Sequence, residues 1–331
     1  MTKSASSVYV EYAYETGGFG SGANLNTPII FGKEVKGSGL EFKNNQIPLG
    51  QLYTPEIESY AYGKDEGKVS MEYVLSNPWF FESILGTATS VDIDGAGAGT
   101  LYSHTWDSDP NVDSTIRDIN SMALTFGFNV NNNFLRIPVG VICTSLSMKM
   151  ALNETIKVTQ ELIWGEETVN QTFANPDGTP LAGEIPYTFV NAEIISPLTG
   201  NTLATVQTFD LNMNTNAELV YEFNQSTSTG AIRKILELTG KVSITLSDST
   251  MLEEVYGRAE SANDLVVTLT NLPETGNTDP QRSIKMTFSG CSFSTHNTTG
   301  IEPSELVIEN MDFQCKHVTV VAKNQESAIP T

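Results

Sequence analysis

Short stretches of alternating apolar and polar residues recur along the chain: Val8-Tyr9-Val10-Glu11-Tyr12, Tyr60-Ala61-Tyr62, Val69-Ser70-Met71-Glu72-Tyr73, Leu124-Thr125-Phe126-Gly127-Phe128 and Val267-Thr268-Leu269. A period of two sends successive side chains to opposite faces, so each reads as a strand with one buried face. Turn-forming clusters separate them, among them Asn131-Asn132-Asn133, Asn175-Pro176-Asp177-Gly178 and Pro273-Glu274-Thr275-Gly276-Asn277. Two segments carry a helical pattern instead. Asn77 stands where an N-cap belongs, Pro78 takes the first helical position, Phe80, Phe81, Ile84 and Leu85 form an apolar face, and Gly86 terminates. Asp248, then Met251, Leu252, Val255 and Tyr256, then Gly257 repeat that plan. The pattern predicts an all-β chain of antiparallel strands with two short helices.

The same weak signals occur twice in the same order. Thr27-Pro28-Ile29-Ile30-Phe31 returns as Ile185-Pro186-Tyr187-Thr188-Phe189, and Leu40-Glu41-Phe42 as Phe209-Asp210-Leu211. Gly67-Lys68-Val69-Ser70 returns as Gly240-Lys241-Val242-Ser243, a shift of 240 − 67 = 173, and the helix signals follow with shifts of 171. Gly140-Val141-Ile142-Cys143 matches Gly290-Cys291-Ser292-Phe293, and each half closes on a further strand, Thr155 to Trp164 and Glu305 to Cys315. Shifts that drift from 158 through 173 to 150 are what insertions in surface loops leave between old duplicates. The expected organisation is a Gly-rich, mobile arm over 1–26, a first β-sandwich or barrel domain over 27–167, a linker over 168–184 and a second such domain over 185–331, each domain with one short helix.

At 331 residues the chain has material for two cores, and 39% hydrophobic with 17% charged residues is the composition of a folded protein. Its net charge of −21 argues against a surface built to bind phosphate backbones. Met1-Thr2-Lys3-Ser4-Ala5 does not lead into a signal peptide, and no stretch is long and apolar enough to span a bilayer, so synthesis in a cytoplasm without membrane insertion is expected. Cys143, Cys291 and Cys315 are expected to be free, buried thiols.

Candidate chemistry is weak throughout. Gly18-Phe19-Gly20-Ser21-Gly22-Ala23 has loose dinucleotide spacing, but Asn24-Leu25-Asn26-Thr27-Pro28 follows where a helix is needed. Gly63 to Ser70 resembles a phosphate loop with the wrong glycine spacing, and reads as a charged hairpin turn. His104, His296 and His317 are scattered; Cys315 and His317, two apart on one strand face, come nearest to a metal pair. Asp92-Ile93-Asp94-Gly95 lacks the later ligands of a calcium loop. Carboxylate pairs such as Glu56 with Glu58 and Glu166 with Glu167 are expected on solvated faces in so acidic a chain. Neither an enzymatic activity nor a cofactor or metal is expected.

The repeated unit resembles the tube domain of tail tube proteins from tailed phages and related tailed viruses. The likeness lies in its layout: a strand pair, a long hairpin, the Gly-x-Val-Ser strand at Gly67 and Gly240, a short helix ending at Leu85-Gly86 or Tyr256-Gly257, and the strands from Gly140 and Gly290. The resemblance implies a structural virion protein whose hairpins build an intersubunit β-barrel in stacked rings. It implies three chains per ring in pseudo-sixfold symmetry, with six chains as the alternative. Partners would be further copies, other tail proteins and the viral DNA passing through during ejection. With roughly 24 strands about 4.8 Å apart and tilted about 40°, the bore would admit duplex DNA. Glu56, Glu58, Asp65 and Glu66 of the first hairpin, with Glu218 and Glu222 of the second, are the candidate lumen-facing acids, repelling phosphate so that DNA slides. Glu218 and Glu222 are expected to share one strand face, as are Glu56 and Glu58. The competing class is a two-domain β-sandwich adhesin or surface-layer binding module.

Overall fold

The alternation in the sequence is carried straight into β5 (Glu66–Val74), where Val69, Met71 and Tyr73 are buried while Ser70 and Glu72 between them are half-buried. The computed structural model describes residues 8–21, 29–50, 57–93, 101–109, 120–128, 134–170, 186–188, 192–195, 206–245, 263–271, 282–300 and 307–324. Strands are numbered in chain order.

The largest sheet has eight antiparallel strands in the order β2 (Lys33–Lys43), β5, β11 (Lys157–Trp164), β10 (Ile142–Ala151), β14 (Val206–Asn214), β17 (Glu237–Thr245), β21 (Ile308–Cys315) and β20 (Ser292–Thr299). Four come from the first half and four from the second, in equivalent order, and β10 pairs with β14 at the junction. The duplication reaches fine detail. Glu41 faces Lys68 as Asp210 faces Lys241. Gly140 and Gly290 (290 − 140 = 150) both have positive φ, 61° and 63°, and a bulge follows each, between Cys143 and Ser145 and between Phe293 and Thr295.

A hairpin leaves the same end of each set. The first is β3 (Ile47–Gly50) with β4 (Ile57–Ala61), the second β15 (Glu218–Val220) with β16 (Gly230–Ile232). At their bases Asn45 Nδ2 donates to the Lys64 carbonyl at 2.9 Å, and Asn216 Nδ2 to the Ile235 carbonyl at 3.2 Å.

Smaller sheets supply the second layer. One has the order β1 (Val8–Tyr14), β8 (Met122–Phe128), β9 (Phe134–Val139), β12 (Glu166–Asn170). The other runs β13 (Ala192–Ile195), β18 (Leu265–Asn271), β19 (Arg282–Ser289), β22 (His317–Asn324), β7 (Tyr102–Asp107), β6 (Thr89–Asp92). Its first four strands repeat the four-stranded sheet; β6 and β7 belong to the first half and pair onto β22 of the second. The halves are therefore fused through two sheets, over one continuous hydrophobic cluster.

The first helix signal forms a 3-10 turn, Trp79–Phe81, continuing into α1 (Glu82–Leu85). Asn77 Oδ1 accepts the Trp79 N–H at 3.3 Å, and Gly86 closes the segment at φ 86°. Instead of one apolar face, all residues from Trp79 to Leu85 are buried, because the segment is wedged between β10 and β7 of different sheets. The Glu82 carboxylate is satisfied there by Trp106 Nε1 at 2.9 Å, Asn120 Nδ2 at 2.7 Å and the Ala88 N–H at 3.1 Å, and burial pushes its pKa up to about 7. The second helix signal, 248–257, lies outside the described residues.

Several expectations are corrected. Cys291 and Cys315 are not free: they form a disulfide, because Ser292 pairs with Gln314 and so brings the adjoining positions together across β20 and β21. Cys143 is free and buried, its thiol pushed up to about 12 by desolvation. Cys315 and His317 do not share a strand, since the chain bends at Lys316 and moves from one sheet to another. Within the segment read as a mobile arm, β1 is paired to β8, and Glu15 accepts the N–H groups of Gly20 at 2.8 Å and Gly140 at 3.0 Å. The Pro-led starts yield single bridges, Tyr12 with Ile29 and Thr155 with Thr188. Residues 168–170 of the expected linker lie in β12, and the rest of it is outside the described residues.

Candidate assembly surface

The eight-stranded sheet turns its apolar side chains toward the second layer, which leaves the alternate positions on an open polar face. Among the described residues its cations include Lys33, Lys36, Lys43, Lys68, Lys149, Lys157 and Lys241, and its anions Glu41, Glu66, Glu72, Glu161, Asp210, Glu237 and Asp312, so the two signs nearly balance on this face while the chain carries −21.

Strand register sets four of them in alternating sign, while Lys157 faces Lys149 as a like charge at the end of that row. Lys149 faces Asp210, Asp210 faces Lys241 and Lys241 faces Asp312, so one row crosses four strands with alternating charge. On the other flank Lys68 Nζ lies 3.2 Å from Glu41 and Lys36 Nζ 3.6 Å from Glu72. Opposite charges across strands stabilise the pairing modestly and cancel at distance. Sequence alternation marks these positions as polar, but only the cross-strand order reveals the row.

Among the described residues the sheet ends in two unpaired edge strands, β2 and β20. At the β2 edge Phe42 is 36% exposed although it belongs to an apolar position. An open edge presents unpaired backbone groups and is a template for another strand.

The hairpin acids fall in different settings. Glu66, on the open face, is paired with Lys64 and also accepts from Asn45 Nδ2 at 3.1 Å; the Lys64 hydrogen bond chiefly lowers its pKa. Asp65 works through its backbone: its N–H donates to the Ser226 carbonyl at 2.7 Å and its carbonyl accepts the Tyr221 hydroxyl at 2.5 Å. Glu218 is exposed and paired with Lys234. Glu222 lies past the end of β15 and does not share a strand face with Glu218. Glu58 is in β4, and Glu56 is outside the described residues. Glu167 departs from the solvated face expected of it. The residue is half-buried with its carboxylate turned inward, accepts from both Arg136 Nε and Arg136 Nη2, and accepts the Trp164 Nε1–H at 3.2 Å.

The second hairpin is seated on the first half. Besides the Asp65 bonds, Lys64 Nζ stands 5.3 Å from the Tyr221 ring, and Ser228 packs on Gly165, where a Cβ would come within 2.3 Å of its Oγ. Desolvation raises the Tyr221 phenol to about 12.

The sequence profile of a family described as phage tail tube protein matches residues 62–315. No curated protein matches the chain.

Proposed function

The chain belongs to the phage tail tube protein family, and from that premise we propose that its copies join head to tail through their open sheet edges into stacked rings, three chains to a ring. Membership makes the protein a structural component of the virion tail that assembles with itself and with other tail proteins. The finer reading rests on one observation: the strand order β2-β5-β11-β10 is followed, in the same direction, by its duplicate β14-β17-β21-β20.

The junction inside the chain supplies the geometry of the junction between chains. β20 holds in the second set the position that β10 holds in the first, and β2 holds the position of β14. Pairing of β20 with β2 of the next copy therefore repeats the β10–β14 contact. The in-chain pair Ser147 with Asn212 translates to Asn297 with Lys43, and Met148 with Leu211 to Thr298 with Phe42. Such a head-to-tail contact closes only as a ring or runs on as a filament. Closure removes both edges and covers Phe42.

Three chains supply about 24 strands, which at about 4.8 Å spacing and about 40° tilt give roughly 48 Å between opposite backbones. The polar face lines the bore, since the second layer covers the other. Most of its charges face an opposite charge across the strands, so a phosphate backbone meets short-ranged, largely alternating potential instead of a sticky surface. Asp65, Glu66, Glu218 and Glu222, on or beside the hairpins, put further carboxylates toward one rim, Glu66 paired there with Lys64 and Glu218 with Lys234. The virion DNA passes along this wall on ejection.

Electron microscopy of the purified protein with mass measurement of its particles tests the reading. Rings with an open bore and the mass of three 36.0 kDa chains are expected. A persistent monomer at high concentration overturns it, and six chains per ring would replace the copy number.

A further inference from the structure

The two hairpins are built alike and used differently. Ile47 faces Ala61 as Glu218 faces Ile232, each residue displaced by 171, and the same asparagine clamp closes each base. The second hairpin lies beside the ends of β2, β5 and β11, where Leu219 and Tyr221 line one cleft with Lys43, Glu66, Lys68 and Ile163. The first follows β2, the sheet's edge strand, and its described apolar side chains are exposed: Ile47 is 54% exposed, Tyr60 58% and Tyr62, just past β4, 86%.

A corresponding seat exists on the second half. At the ends of β17, β21 and β20 a depression is lined by Leu236, Glu237, Thr239, Gly290, Gln314 and Lys316. Thr239 and Gln314 are the second-half counterparts of Glu66 and of Gly165, on which Ser228 of the seated hairpin packs, and no hairpin among the described residues of this chain fills the depression.

We propose that the β3–β4 hairpin of one copy seats in the depression between β17, β21 and β20 of the next copy. The partner is a second copy of this chain because the seat and the hairpin are halves of a contact that the molecule already makes once with itself. Pro48, standing where Leu219 does (219 − 48 = 171), and Tyr60 opposite it supply the apolar contact. Burying aromatic side chains that are open in the monomer is the common source of interface energy. Seating also sets the direction of addition, since each copy offers one free hairpin and one free seat.

This inference rests on the head-to-tail ring, so the test separates the two. Two cysteine-pair variants are treated with a short thiol-reactive linker: Pro48→Cys with Thr239→Cys for the seat, and Lys43→Cys with Asn297→Cys for the edge. Inter-chain products from both pairs, with none from the single variants, are expected. Products from the edge pair alone leave the ring standing and overturn the seat; products from neither overturn both. As a second measure, Tyr60→Ala with Tyr62→Ala should leave monomer thermal stability unchanged and raise the concentration needed for half assembly roughly tenfold. Unchanged assembly by that variant, with the monomer folded, also overturns the seat.

Discussion

Gly140 and Gly290 hold matching left-handed backbones, φ 61° and 63°, at matching turns 150 positions apart, each followed by a strand that carries a bulge near its start. A side chain at such a φ costs about 1–2 kcal/mol. Gly290→Ala should therefore lower stability by about that amount, read as a shift in the urea unfolding midpoint. Gly140→Ala should cost more, because its Cβ would also lie 2.8 Å from the Phe19 ring.

Phe42 occupies an apolar position on β2, which among the described residues has a neighbouring strand on one side only. Phe42→Glu should leave a folded monomer and abolish rings, since the carboxylate would be buried unpaired beside Thr298 of the next copy. Light scattering on a sizing column separates the outcomes: rings at wild-type yield would sink edge pairing through β2.

Lys241 stands between Asp210 and Asp312. Lys241→Glu turns an alternating row into three adjacent anions, and like charges directly opposite destabilise a sheet. The variant should unfold more easily than the parent in dilute buffer, with the gap narrowing at about 1 M salt, where screening acts within about 3 Å. A gap independent of salt would mean the row is not electrostatic in origin. In an assembled tail the same change should slow DNA ejection.

Glu82 carries the clearest pH dependence. Its folded pKa is raised by burial from 4.5 to about 7, so the folded state binds the proton more tightly than the unfolded chain. The stability from this group is present below the unfolded value and is lost as pH climbs to the folded one, roughly 3 kcal/mol over the whole window. Unfolding midpoints between pH 5 and 8 should fall for the parent and stay flatter for Glu82→Gln, whose amide oxygen can still accept from Trp106. Equal slopes for both proteins would remove Glu82 as the cause.

The Cys291–Cys315 bridge closes a loop with a sequence separation of 24, worth about 3 kcal/mol by loop entropy. It also holds β20, the strand that would receive the next copy. Thiol titration of the denatured, unreduced protein should find one reactive group, Cys143, rising to three after reduction. Reduction should lower stability and weaken ring formation together; loss of stability with full assembly would show that the bridge does not support the edge.

Much of the fold was legible in the sequence. Val69, Met71 and Tyr73 alternate with polar neighbours because a sheet has two faces, and that local rule needs no tertiary information. The Asn77 cap and the Gly86 stop were equally local. The candidate site was less legible. Glu66 and Glu218 could be named as hairpin acids, but not that Lys64 and Lys234 would pair with them, nor that Asp65 would act through its backbone.

By itself the sequence determined that the chain is β-structured and duplicated, since burial alternation, turn chemistry and the shift between Gly67 and Gly240 are written residue by residue. Tertiary structure alone decided that β10 pairs with β14, that β7 crosses to β22, that Lys149, Asp210, Lys241 and Asp312 form one row, and that Cys291 meets Cys315. The reason is physical: alternation fixes which face of a strand is buried, but which strand lies beside it depends on how distant segments share one core.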